Sequence, residues 1–315
     1  MTPRRPFLRP RALRPRDRIA LLTLASPCES SEVAAGADEL CGLGFEPVVV
    51  AAPDVGAGAS YVAGTAAARA AQLRDALLDP GIAAVIATRG GYGSAQLLPH
   101  LDFDEIRHAR TLLIGYSDIT ALLDACTGRA GLVSIHGPMV EGRLARGAEA
   151  YDRESFVRLV TEPVAYGALS VPEARTLQPG EAAGVLRGGT LTQLAALLGT
   201  PWAYASAEPT VLFLDDVNER PYRLDRLLWQ LRAAGAFDHV VGVMLNHLPG
   251  CDEPGGTLTG SDAVRHALEG FSGPIVVGVP SGHTPGAMIT LPFGVQVSLR
   301  AASDVALSIN EAAVD

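Results

Sequence analysis

The 315-residue chain contains no lysine, so all 25 of its basic residues are arginine. A phosphate-cradling P-loop, a pyridoxal Schiff base and a Ser-Lys dyad each need an amine side chain, and all three are excluded. Cysteine is sparse. Cys28, Cys41, Cys126 and Cys251 form no C-x-x-C pair, and they do not cluster with histidine at zinc-ligand spacing. Reduced thiols are therefore expected, with no metal and no cofactor. No apolar run reaches 18 residues, so no membrane span is expected. Positive excess is also missing: the net charge of −9 argues against a nucleic-acid or anionic-membrane partner, whose footprint would be basic.

Apolar material, in contrast, is plentiful. Hydrophobic residues make up 48% of the chain and charged residues 19%, which excludes a disordered chain and suits about two domains. The Arg4-Arg5 pair before Phe7 and Leu8 superficially matches a twin-arginine export signal. The apolar run that follows, 19–25, is short, and Arg9, Arg11, Arg14, Arg16, Asp17 and Arg18 stand before it. A basic tail before a first strand is the expected reading.

Continuously apolar segments at 19–24, 48–50, 82–88, 111–115 and 132–135 read as strands. Helical stretches at 30–44, 66–78, 95–98 and 118–126 fall between them. This alternation predicts a parallel sheet covered on both faces. A helix near 153–160 interrupts an otherwise weakly periodic stretch at 142–184. Beyond it, strands at 211–214, 240–245 and 275–279 alternate with helices at 221–231 and 261–268, and 288–309 reads as antiparallel strands around Phe293-Gly294. The expected architecture is α/β. A Rossmann-like first domain would span 13–165, a linker 166–184, and a second α/β domain with a β-rich end 185–315.

Ser117 directly follows the strand 111–115 and its Tyr116, and directly precedes a helix. Such a strand-to-helix turn exposes a nucleophile at the carboxyl end of a sheet. The G-x-S-x-G pattern fails at Ile119, and an N-cap serine would look the same. The loop Gly90-Gly91-Tyr92-Gly93 also follows a strand and allows close backbone approach to an anion, but the full G-x-G-x-x-G is missing. A nucleophilic serine needs a base and an orienting acid. His108, His239 and His266 sit in polar helical contexts and read as solvated, whereas His283 lies in a loop after the strand 275–279, where α/β enzymes gather function. Asp215, Asp216 and Glu219 follow a strand and are the acid candidates. Cys126 falls within a helix rather than at an elbow, which disfavours a cysteine enzyme.

Gly90-Gly91 with Leu97-Leu98-Pro99, then Ile114-Gly115-Tyr116-Ser117-Asp118, then His136-Gly137-Pro138-Met139, together resemble the LD-carboxypeptidases of the peptidase S66 group. Gly188-Gly189-Thr190-Leu191, the run from Asp216 through Glu219 with Pro221-Tyr222-Arg223, and Gly282-His283-Thr284 extend the resemblance over nearly the whole chain. The resemblance implies Ser117 as nucleophile, His283 as base and the backbone N–H groups of Gly91 and Asp118 as the oxyanion hole. Its acid position is usually Glu and here is Asp215. The shorter arm leaves open a closer histidine loop, a bridging water, or substitution by Glu219. Arg89 is assigned to the terminal carboxylate of the substrate, and Tyr92 and Glu219 to substrate binding. The implied reaction is release of terminal D-Ala from murein tetrapeptides by a cytoplasmic homodimer. A hydrolase of microcin-C-like acyl adenylates is the alternative within the class, and a non-catalytic Rossmann-type binding module the alternative outside it.

Overall fold

A computed structural model describes residues 7–53 and 61–315; the Arg4-Arg5 pair lies outside the described residues. The first sheet contains β1 (Arg18–Leu22), β2 (Glu46–Val49), β3 (Ala84–Ala87), β4 (Leu112–Gly115) and β5 (Ser134–His136). They run parallel in the order β2-β1-β3-β4-β5. Every residue of β3 and β4 is buried, as continuous apolar runs in a doubly covered sheet require. The helices α1 (Ser30–Gly42), α2 (Ala66–Leu78), α3 (Phe103–Ala109) and α4 (Thr120–Ala125) connect these strands. The strand order reverses between β1 and β3, and the glycine loop follows β3 at that crevice, where α/β sheets bind ligands.

After α5 (Arg153–Thr161), the chain enters a second, mixed sheet. Its strands are β6 (Gly167–Leu169), β7 (Arg175–Gln178), β8 (Gly180–Thr190), β9 (Thr210–Asp215), β10 (Val240–Leu245) and β11 (Ile275–Val277). A further strand, β12 (Leu291–Phe293), leaves this module and pairs antiparallel with β5 at the edge of the first sheet. The hairpin β13 (Gln296–Ala301) and β14 (Val305–Ile309) returns to the second sheet. The order there is β6-β14-β13-β8-β9-β10-β11-β7, with a parallel centre β8 to β11 and antiparallel flanks. The helices α6 (Leu191–Ala196), α7 (Pro221–Ala233) and α8 (Gly260–Ala267) pack on it. Pro221 opens α7, and Leu224, Leu228 and Leu231 are its buried stripe. The molecule is thus a two-domain α/β protein with mixed sheets flanked by helices.

Residues 166–184, read from the sequence as a linker, instead hold β6, β7 and the start of β8. Exposed positions alternate with partly buried ones through Gly180–Ala183, and β6 and β7 are edge strands whose partners, β14 and β11, come from far along the chain. Half-solvated edges carry little local hydrophobic signal. The helix expected at 118–126 begins as a 3₁₀ turn, Ser117–Ile119, and ends in a π turn, Cys126–Ala130. Among the described residues no helix is long and apolar enough to cross a membrane.

Candidate active site

The turn after β4 holds Ser117 with φ +61°, a left-handed conformation costly for a residue with a side chain. Gly90 makes room for it: a Cβ there would lie 3.0 Å from the Ser117 Cβ and Oγ. Gly115 clears the turn from below, since its Cβ would meet Ile119 at 2.8 Å. The serine hydroxyl lies 3.1 Å from His283 Nε2. His283 Nδ1 lies 2.6 Å from Asp215 Oδ2. With Nδ1–H donating to the carboxylate, Nε2 is the acceptor for the serine O–H.

Asp215 ends β9 and is fully buried. Its Oδ2 also accepts the His283 backbone N–H at 2.9 Å, and its Oδ1 accepts the Thr190 hydroxyl at 2.6 Å. Burial opposes its charge, yet His283, His136 and Thr190 outweigh that and hold the carboxyl down at about 2. Burial would likewise lower the His283 pKa, and Asp215 reverses the sign, leaving it above the ordinary histidine value. The shorter aspartate reaches the imidazole directly because the loop comes close. Gly282 has φ +67°, and a Cβ on it would sit 2.2 Å from Asp215 Oδ2. Asp216 points elsewhere, accepting the Thr192 N–H and hydroxyl, and burial pushes it up to about 6. Glu219 pairs with Arg223 on α7.

The glycine loop is fixed from two sides. Buried Arg69, on α2, donates to the carbonyls of Leu24 (2.7 Å) and Gly93 (2.8 Å) and to Gln96 Oε1. The Asp118 carboxylate accepts the Ser94 N–H at 2.7 Å, and the Ser94 hydroxyl donates back to the Asp118 carbonyl. The N–H groups of Gly91 and Asp118 make no backbone hydrogen bond among the described residues, so both remain available to an oxyanion. Tyr92 is half-exposed, its ring 5.8 Å from that of Tyr61. Arg89 donates to the Pro27 carbonyl at 3.0 Å and faces Glu141 at 3.5 Å.

Two further groups were not legible as site residues. Arg143 is 8% exposed and crosses to the histidine loop, donating to the carbonyls of Gly282, Thr284 and Gly286 and to that of Ala150, at 2.8 to 3.0 Å. It lies in the weakly periodic stretch after His136, where no motif marks it. His136 is fully buried against Tyr116, Phe213 and Phe293; burial pushes its imidazole down to about 4, so it stays neutral. His108, His239 and His266 are exposed, as their contexts implied. Cys126 is buried and its thiol is pushed up to about 12, which suits a core residue and not a nucleophile.

The crevice of this two-domain α/β fold thus gathers a serine, a histidine and an aspartate into one hydrogen-bonded row. Residues 19–137 match the family model of the LD-carboxypeptidase N-terminal domain and residues 183–299 that of the C-terminal domain. The chain belongs to the LD-carboxypeptidase family, peptidase S66, and is a peptidase by that membership. A Streptomyces coelicolor protein bearing a carboxypeptidase name is 40% identical over 94% of both chains. The murein tetrapeptide carboxypeptidase of Pseudomonas aeruginosa is 34% identical, covering 71% of this chain and 74% of its own. Among solved structures, the muramoyltetrapeptide carboxypeptidase from Oxalobacter formigenes superposes with a TM-score of 0.80 at 28% identity, over 93% of this chain and 99% of that one.

Proposed function

We propose that this protein is a serine LD-carboxypeptidase that releases terminal D-Ala from murein tetrapeptide. The observation that carries the reading is the unbroken chain Ser117 Oγ to His283 Nε2 (3.1 Å), and His283 Nδ1 to Asp215 (2.6 Å). The names of the relatives supply the substrate class. In this mechanism neutral His283 takes the Ser117 proton as the hydroxyl oxygen attacks the carbonyl of the scissile L,D bond. Asp215 holds the imidazole in the tautomer that leaves Nε2 free, and stabilises the imidazolium once it forms. The Gly91 and Asp118 N–H groups stabilise the oxyanion, each contributing on the order of 3 kcal/mol. His283 then protonates the leaving amine, and water releases the acyl group from Ser117 by the same steps reversed. Every charge change falls on groups already fixed by the hydrogen bonds above, so little reorganisation accompanies the reaction.

The test is incubation of the purified protein with murein tetrapeptide, tripeptide and pentapeptide, with free D-Ala measured. Release from the tetrapeptide alone supports the reading. Turnover of an acyl-adenylate analogue with none of the murein peptide would move the chain to the microcin-type alternative. A cytoplasmic homodimer accompanies this proposal, and light scattering of the purified chain tests the dimer.

A further inference from the structure

A polar cavity of about 510 Å³ opens beside the triad. Its walls include Tyr116, Arg143, Arg146, Glu149, Thr284 and Pro285. Tyr116 directly precedes the serine, and its ring meets the His283 imidazole edge-on at 5.3 Å. Thr284 and Pro285 directly follow the histidine. In acyl transfer the imidazole hands its proton to the departing amine, so the leaving group lies on the histidine side of the scissile carbonyl. Thr284 and Pro285 make the histidine loop part of the cavity wall.

Three arginines near the site differ in what they already hold. The two terminal nitrogens of Arg143 are spent on four carbonyls. Arg89 faces Glu141 and donates to Pro27. Arg146 is exposed and lines the cavity, and its guanidinium has no hydrogen-bond or ion-pair partner among the described residues. Glu149 is likewise unpartnered, and the two do not pair with each other. The cavity wall thus carries two cations and one anion, a net positive charge in search of one carboxylate.

We propose that this cavity takes the leaving amino acid, and that Arg146 reads its free carboxylate. The inference rests on the carboxypeptidase reading and deepens it. It moves the role that the sequence suggested for Arg89 to a residue whose fork of donors is uncommitted. Glu149 adds a selectivity: a leaving residue with an acidic side chain is repelled, and a small neutral one is accepted.

The test is binding without turnover. In a Ser117→Ala background, calorimetry compares the tetrapeptide free acid with its C-terminal amide, with and without Arg146→Met. Arg146→Met weakens free-acid binding by on the order of 10- to 100-fold, the value of a charge-assisted carboxylate contact, and leaves amide binding little changed. Arg146→Lys restores part of the loss. Equal weakening of both ligands, no weakening of either, failure of the background protein to bind either ligand, or a selective loss that appears instead with Arg89→Met overturns the proposal. Turnover by the unmutated protein is read separately. Free-acid binding through Arg146 without release of D-Ala refutes the hydrolase reading alone.

Discussion

Gly282→Ala probes how an aspartate fills a position that the family usually gives to a glutamate. The added Cβ would lie 2.2 Å from Asp215 Oδ2 and 2.6 Å from its Cγ. An unstrained carbon-to-oxygen contact needs about 1 Å more than that. Asp215 cannot retreat, because it is fully buried and held by Thr190 and the His283 N–H. The loop must move instead, taking the imidazole with it. The left-handed φ of +67° adds about 1–2 kcal/mol for any residue with a Cβ, and overpacking adds about 1–3 kcal/mol. Circular dichroism checks that the variant is folded before its kinetics are read. A displacement of about 1 Å at the base costs on the order of 100-fold in kcat/KM. The looser Asp215–His283 bond also lowers the histidine pKa, so the acid limb of the pH profile moves down. A folded Gly282→Ala protein with kcat/KM near that of the unmutated protein refutes the idea that glycine sets this distance.

Four other outcomes follow from contacts in the structure. Asp215→Asn lowers kcat by about 10⁴-fold, because the amide stabilises the wrong tautomer; steady-state assays with Asp216→Asn and Glu219→Gln, which cost far less, check it. In the unmutated protein the raised His283 pKa places the acid limb of kcat/KM above the ordinary value of about 6.5, and activity rises with pH as the imidazole becomes neutral. Arg143→Met releases the carbonyls of the histidine loop and removes a cation that lowers the His283 pKa, so kcat/KM falls and the acid limb moves up, opposite in direction to Asp215→Asn. Arg187→Met leaves the buried Asp124 carboxylate unpaired and destabilises the fold by about 3–5 kcal/mol, seen as a lower Tm that a second change, Asp124→Leu, largely restores.

The central strands were readable because burial on both faces makes β3, β4, β9 and β10 continuously apolar. The serine turn and the histidine loop were readable because both follow such strands. Bringing them together was not. Ser117 and His283 are 166 residues apart, and only the resemblance to the family joined them before the structure did. The edge strands β6 and β7 escaped notice because their order comes from β14 and β11, not from local pattern. Gly188 and Gly189, with φ of +138° and +130°, sit in β8. A Cβ on Gly188 would strike the Phe213 carbonyl oxygen at 1.8 Å, so glycine serves close strand packing there. Arg143 was invisible because its role consists of donating to carbonyls, and carbonyls leave no trace in a sequence. The choice among Asp215, Asp216 and Glu219 needed the side-chain directions that only the folded crevice displays.

The central claim is that Ser117 forms the acyl-enzyme. The most direct test is to react the purified protein with an activated ester of the acyl peptide, quench it with acid within the first turnover, and map the adduct by peptide mass spectrometry. The account predicts one acyl group on Ser117, absent from Ser117→Ala, which also releases no D-Ala. An adduct on another residue, or a Ser117→Ala protein that still turns over, contradicts it.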